Sequence, residues 1–285
     1  MWLYPLPANP MVMVPDLKAH GITGVVPQQS SAAIRWTKEW GPRLESAGLK
    51  VVIGLGKITA DILVAAYDRP ESEGVMINQE DWKSVADSNA VVSEVLRRRP
   101  HFAERGMDCH YPCLIKDPET KKNTGWGKIA KAWAPLCGLR APQCYWAKGG
   151  GGAQEGPWDG WVGARLAHSR LEYPLAGGSP ADRVRISRQQ YRASVNDHVN
   201  VLLQEALTGS VWLWNWLEAD SSARLALRVV HTLEKRGFQG VDSVRHFQDK
   251  SGLDIDGVVG HNTIAALGLV LPAAPVLWQR VRPRR

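Results

Sequence analysis

The sequence predicts an α/β chain, a (β/α)8 barrel of the TIM type followed by a small all-α three-helix module. Three observations lead there. Eight short apolar runs lie before residue 221, with longer amphipathic stretches between several of them. Strands that alternate with helices pair in parallel through βαβ units, and eight such units fit a barrel that takes about 250 residues and can be built in roughly 200. Beyond Glu218-Ala-Asp-Ser-Ser-Ala223 the texture changes to three short helical patterns with no apolar strand between them.

The candidate strands are Met1–Leu6, Gly24–Pro27, Lys50–Leu55, Gly74–Ile77, Met107–Tyr111, Gln143–Ala147, Arg183–Ile186 and Ser210–Trp216. The third shows the pattern: Gly48-Leu-Lys-Val-Val-Ile-Gly-Leu-Gly56 ends a helix at glycine and enters a buried run. Helices are expected between several of them, such as Ala32–Ala47, Trp82–Arg98, Gly125–Cys137 and Ser194–Leu207. An open doubly wound sheet is the second choice, because no GxGxxG follows the first strand. Lys148–Gly152, with four glycines and no Lys-Ser/Thr after it, reads as a loop at the barrel mouth and not as a phosphate cradle.

The C-terminal patterns are Arg224–Gly237, apolar at Leu225, Leu227, Val230 and Leu233; Val241–Ser251, apolar at Val244 and Phe247; and Asn262–Gly268, with Asn262 as its cap. Leu271–Arg285, with three prolines and four arginines, reads as an extended arm. The expected division is a barrel over 1–221, a helical module over 222–270 and a basic tail over 271–285.

A 285-residue chain with 44% hydrophobic and 22% charged residues can bury a full core and is not intrinsically disordered, and its 27 glycines without a three-residue period exclude a fibrous protein. Of the net charge of +7, +5 falls between Arg224 and Arg285. These arginines are not interleaved with a base-reading motif, so nucleic acid is not expected as a partner. Anionic wall or outer-membrane polymers, or simply water, are what they would meet. Prolines at 5, 7, 10 and 15 break the apolar start that a signal peptide would need. Leu267–Trp278 is too short for a membrane span and is interrupted by Pro272 and Pro275. A soluble monomer without stable membrane insertion is expected. Cys109, Cys113, Cys137 and Cys144 fit no zinc spacing, so buried thiols are expected, with no metal and no cofactor.

The stretch Val241-Asp-Ser-Val-Arg-His-Phe-Gln, continued by Gly252-Leu-Asp-Ile-Asp-Gly-Val-Val-Gly-His-Asn-Thr-Ile-Ala-Ala-Leu267, resembles the second half of the three-helix peptidoglycan-binding domain of cell-wall hydrolases. Val244, Phe247, Gln248, Gly252, Leu253, Asp256, Gly257, Gly260, Thr263 and Leu267 carry the match. The resemblance implies that Phe247, Gln248, Asp256, Gly257 and Thr263 belong to a wall-binding module. Where such domains have an earlier D-G-x-x-G-x-x-T turn, this chain has Gly237-Phe-Gln-Gly240, and the module is shortened. More loosely, Gly74-Val-Met-Ile-Asn-Gln-Glu-Asp-Trp82 is similar to the fourth strand of lysozyme-like (β/α)8 glycoside hydrolases, family 25 in particular, which ends D-x-E. Asn78 and Glu80 occupy those places. Barrel and wall-binding module without an export signal together resemble a bacteriophage endolysin. This implies a host-cytoplasmic protein that reaches the wall when a holin opens the inner membrane, with peptidoglycan as its partner.

On this reading Glu80 is the catalytic acid, delivered to the barrel mouth beside Trp82, where desolvation would raise its pKa. Asp81 is a second catalytic candidate or an acid stabilising the start of the next helix. Glycoside hydrolysis normally uses a second carboxylate, about 5 Å away for retention or 6.5–9.5 Å for inversion. Glu218, Asp220, Asp108 and Asp16 are candidates. A substrate-assisted route would instead use orienting groups such as Asn78, Gln190 and Tyr191. Thirteen tryptophans against three phenylalanines favour a carbohydrate ligand, with Trp146, Trp158, Trp161, Tyr191, Trp214 and Trp216 as substrate-binding candidates and core packing as the alternative for each. A muramidase-like glycosidase is the reading that results. The alternatives are a non-catalytic wall-binding or virion structural protein, favoured by Asn78 in place of Asp, and a stem-peptide peptidase or amidase, weakened by the lack of HExxH.

Overall fold

A computed structural model of the chain describes residues 1–56, 58–78, 84–108, 132–140, 186–188, 194–206, 211–213 and 221–273. They form an α/β structure of the (β/α)8 type with short helices at its C-terminal end. Strands β1 (Trp2–Leu3), β2 (Gly24–Pro27), β3 (Lys50–Leu55), β4 (Gly74–Ile77), β5 (Gly106–Asp108) and β6 (Leu139–Arg140) make one parallel sheet in chain order, and β7 (Ile186–Arg188) pairs in parallel with β8 (Val211–Leu213). The register runs Trp2 opposite Val26, Val25 opposite Val51, Ile53 opposite Val75, Met76 opposite Met107 and Asp108 opposite Arg140.

Successive strand residues face opposite sides of the sheet, and here both sides are apolar because both are covered. Trp2, Val26, Val52 and Met76, with Met107 against them, fill the inner face with one residue from each of five neighbouring strands. On the outer face Leu3, Val25 and Val51 pack against Trp36, Trp40 and Leu44 of α2 (Ser31–Ser46). Ile53, Leu55, Val75 and Ile77 pack against α3 (Ala60–Tyr67) and α4 (Val85–Arg98) through Leu63, Val92 and Val95. Side-chain caps start two of these helices: the Thr59 hydroxyl accepts from the Ile62 N–H at 3.2 Å and the Ser84 hydroxyl from the Asp87 N–H at 3.0 Å. At the opposite end of the strands the Arg105 guanidinium donates to the carbonyls of Tyr67, Arg69 and Ser72 and closes the loop that leads into β4.

Several expectations need correction. The sixth strand is Leu139–Arg140, paired to β5, where Gln143–Ala147 was expected; that run lies outside the described residues. Two residues carry too little periodicity to be read, and only the ladder with β5 makes them a strand. The helix expected to end at Cys137 finishes as a 3-10 turn, Ala134–Leu136, because Pro135 has no N–H to donate. Asn262 does not cap the last helix, since the cap position is Gly260 and Asn262 lies within the helix. α1 (Val14–Ala19) is a short helix between β1 and β2, and α3 is the crossover helix that the βαβ reading requires between β3 and β4.

At the C-terminal end α5 (Val195–Ala206) and α6 (Ser221–Lys235) share one core with the first strands: Val199, Leu203, Leu225, Val229 and Leu233 join Met1, Leu3, Val14 and Leu17. Val244 and Phe247 of α7 (Ser243–Lys250), Val259, and Ile264 with Leu267 around α8 (His261–Ala266) belong to the same cluster. Hydrophobic packing therefore runs without a break across residue 222. Asn196 on α5 clamps the turn before α8, its side chain accepting from the Val259 N–H at 2.7 Å and donating to the Val259 carbonyl at 3.3 Å. Arg236 donates to the carbonyls of Ala266 and Leu267 at 3.1 and 3.0 Å and caps the end of α8.

Candidate functional site

The inner face becomes polar at the carboxyl ends of the strands, where barrels of this type place their chemistry. Gln28 follows β2 and bridges Gly54 of β3, with its N–H on the Leu3 carbonyl at 3.2 Å. Asn78 follows β4, with its N–H on the Leu55 carbonyl at 3.0 Å. By strand alternation Gln28 shares the face of Val26, and Asn78 that of Met76. Asn78 is only 3% exposed. Between the two amides lie Gly54 of β3 and Gly56 just past its end, which have no side chains. Ser30, two residues past Gln28, has φ 48° and ψ −121°, a conformation that non-glycine residues rarely adopt.

Of the catalytic candidates, the structure places Asn78 at this rim. Asp108 ends β5, its backbone opposite Ile77 and Arg140. Glu80, Asp81 and Glu218 lie outside the described residues, as do Asp220, Gln190, Tyr191, Trp82, Trp146, Trp158, Trp161, Trp214 and Trp216. Asp16 is in α1 on the outer side of the sheet, 3.3 Å from Arg224 and 3.3 Å from His20. It is a structural ion-pair partner and not a second carboxylate at the strand ends. Four tryptophans whose side chains are described are packing residues: Trp2 lies on the inner face, Trp36 and Trp40 under α2, and Trp133 is fully buried. Trp36 also donates to the Pro7 carbonyl at 2.9 Å and holds the segment after β1 in place.

Phe247, Gln248, Asp256, Gly257 and Thr263 do come together, and their contacts build the turn between α7 and α8. Gln248 is 2% exposed. Its Nε2 donates to Asp256 Oδ1 at 2.8 Å and to the Val258 carbonyl at 3.0 Å, and its Oε1 accepts from the Gly257 N–H at 2.8 Å. Thr263 Oγ1 reaches the Val258 carbonyl at 3.3 Å. Gly257 sits at φ +74°, where a Cβ would also run into Arg245. The Val258 N–H, followed by the Gln248 amide, holds the Asp256 carboxyl below its usual range. Phe247 is buried edge-on against Phe238, ring centroids 5.5 Å apart. The outer surface of this turn is formed by Ile255 and Val258, both exposed.

Sequence reasoning passed over Gln28 and Gly56. The period-two pattern that makes Val26 an inner residue also puts Gln28 inside, and Gly54-Leu-Gly56 leaves the inner face of β3 empty; both signals were readable.

No protein-family model matches the chain, and no curated protein matches it. Among solved structures it is similar to the catalytic domain of a hyperthermophilic chitinase from Pyrococcus furiosus, with a TM-score of 0.53 and 12% identity over 75% of this chain and 82% of that one. A structure from Streptomyces coelicolor assigned as chitinase A gives a TM-score of 0.42 and 13% identity over 74% of this chain and 91% of that one. At these identities the likeness is one of fold, and it rests on the first.

Proposed function

We propose that the chain is a glycosidase of the bacterial cell wall, muramidase-like, that cleaves the amino-sugar backbone of peptidoglycan in the manner of an endolysin. The observation that carries the reading is the change from an apolar inner face, Trp2, Val26, Val52 and Met76, to amides at the carboxyl ends of β2 and β4, where a polar glycan would enter. The fold likeness is to a chitinase domain, and chitin, like peptidoglycan, is built from N-acetylated amino sugars. The third support is the peptidoglycan-binding resemblance of residues 241–267.

In this proposal Glu80, two residues past Asn78, gives its proton to the glycosidic oxygen as the bond to the ring carbon breaks. Asn78 orients the sugar, and Asp81 or Glu218 supplies the second carboxylate; Asp108, next to the inner-face Met107 and opposite the outer-face Ile77, falls on the other side of the sheet. The aromatic candidates Trp146, Tyr191, Trp214 and Trp216 stack on sugar rings. Residues 222–270 and the basic tail hold the enzyme to the wall, which it reaches from the host cytoplasm after a holin opens the membrane. Asn78 in place of the Asp of the family it resembles favours a second reading, a wall-binding protein without catalysis.

Product analysis of digested peptidoglycan separates these. New reducing ends are expected; new amino groups would mean a peptidase or amidase, and neither would mean a binder. Glu80→Gln keeps shape but cannot donate a proton, so lysis of permeabilised cells is expected to slow by on the order of 10² to 10⁴ with an unchanged melting temperature. Full activity with a slightly lower melting temperature would instead make Glu80 a helix-stabilising acid.

A further inference from the structure

Gly54 on the inner face of β3 and Gly56 just past its end have different explanations. At Gly54 a Cβ would lie 3.0 Å from Val26 Cγ1, 3.2 Å from the Pro27 carbonyl and 3.4 Å from Gln28 Cβ, so close packing of β2 on β3 requires glycine. Packing of the described residues does not require glycine at Gly56. There an added Cβ would have, among the described residues, one neighbour within 4 Å, Gln28 Nε2 at 4.0 Å, and the backbone is not left-handed. No other described residue fills the space beside Gln28. The Gln28 Oε1 atom is buried and accepts no hydrogen bond. A buried carbonyl oxygen without a donor is unfavourable, and such groups persist where something else supplies the donor. Two residues on, Ser30 holds its left-handed φ of 48°, the kind of local strain that collects at ligand sites.

We infer that Gln28 and Gly56 form a saccharide subsite, in which a neutral donor of the sugar, a hydroxyl or the N–H of an acetamido group, bonds to Gln28 Oε1 while the sugar occupies the space beside Gly56. Asn78 closes the far side of β3. The subsite rests on the glycan reading above and names which residues select the sugar. Gln28, Gly56 and Asn78 carry no formal charge, which suits a neutral carbohydrate.

The test is calorimetric titration of the full-length protein with the tetramer of N-acetylglucosamine and with the tetramer of glucose, beside thermal melts. Gly56→Ala fills open space, so its melting temperature should match wild type while sugar affinity falls at least about tenfold. Gln28→Leu removes a buried atom that has no partner in the free protein; it should melt at or above wild type and bind at least about tenfold more weakly. Loss confined to the N-acetylated tetramer identifies the acetamido N–H as the donor, and equal loss for both identifies a hydroxyl. Wild-type affinity in both variants, or a lower melting temperature for Gln28→Leu with unchanged binding, overturns the subsite, as does a wild-type protein that binds neither tetramer. Hydrolysis measured in parallel keeps the two readings apart. Binding that depends on Gln28 and Gly56 without cleavage leaves the subsite standing and removes the hydrolase. Cleavage with unchanged KM in both variants does the reverse.

Discussion

Two residues show how a single side chain or φ angle is set by its surroundings. Ser30 is held at φ 48°, ψ −121° between β2 and α2, in a region that only glycine enters at low cost. Ser30→Gly is therefore expected to stabilise the protein by about 1 kcal/mol, read as a higher melting temperature. An unchanged or lower melting temperature would mean that the Ser30 side chain contributes more than its backbone costs. Gln248 is the opposite case, a polar side chain that is buried because both ends of its amide are satisfied within one turn. Gln248→Leu leaves the Gly257 N–H and Asp256 Oδ1 without that partner, and a loss on the order of 2 to 3 kcal/mol is expected in urea unfolding. A loss below about 0.5 kcal/mol, with weaker binding to cell-wall sacculi, would make Gln248 a ligand residue and not a structural one.

Between elements, the Asp16–Arg224 pair joins α1 to α6, and two histidines lie beside it. His20 Nδ1–H donates to the Asp16 carbonyl at 2.7 Å, and the Asp16 carboxylate pairs with Arg224. His231 of α6 lies against Gly21, close enough that a Cβ there would be 2.8 Å from its Nδ1. Burial is the main reason both imidazoles titrate below the ordinary histidine range; Arg224 and Arg228 push His20 further down, Lys235 and His20 push His231, and the Asp16 bond pulls His20 partly back. A lowered folded-state pKa means that the unfolded chain takes up the proton first. The stability from these residues is complete above the unfolded value of about 6.5 and is lost as pH falls below it. Glu234, whose carboxyl burial pushes up, acts in the opposite direction at lower pH. Melting temperature is expected to fall from about pH 6.5 to 5.5, and His20→Gln should flatten the fall. An unaltered slope in that variant would place the pH dependence elsewhere.

For the whole molecule, the helices after residue 235 are tied to the barrel's own core. Val244, Phe247, Val259, Ile264 and Leu267 lie in one cluster with Leu3, Val25 and Val51, and Asn196 bonds both polar atoms of the Val259 backbone. A chain truncated after Gly240 is expected to expose that surface, aggregate, and unfold well below the full-length protein. Calorimetry of the two chains decides this. Equal melting temperatures would make the C-terminal helices an appended unit and support the division near residue 222.

Much of the sheet was determined by the sequence alone. Gly24–Pro27, Lys50–Leu55 and Gly74–Ile77 were read with the bounds they have in the structure, because strands covered on both faces are unbroken apolar runs between glycines and turns. The C-terminal motif was legible for a similar reason, since Gln248, Asp256, Gly257 and Thr263 make contacts within 15 residues of one another. Tertiary structure decided what depends on distant neighbours. Leu139–Arg140 is a strand only because β5 lies beside it, and Asp16 leaves the list of candidate acids because Arg224, 208 residues away, pairs with it. Gln28 joins the proposed subsite only when β3 brings Gly54 and the following Gly56 alongside it, for a single strand shows which residues share a face but not what stands opposite them.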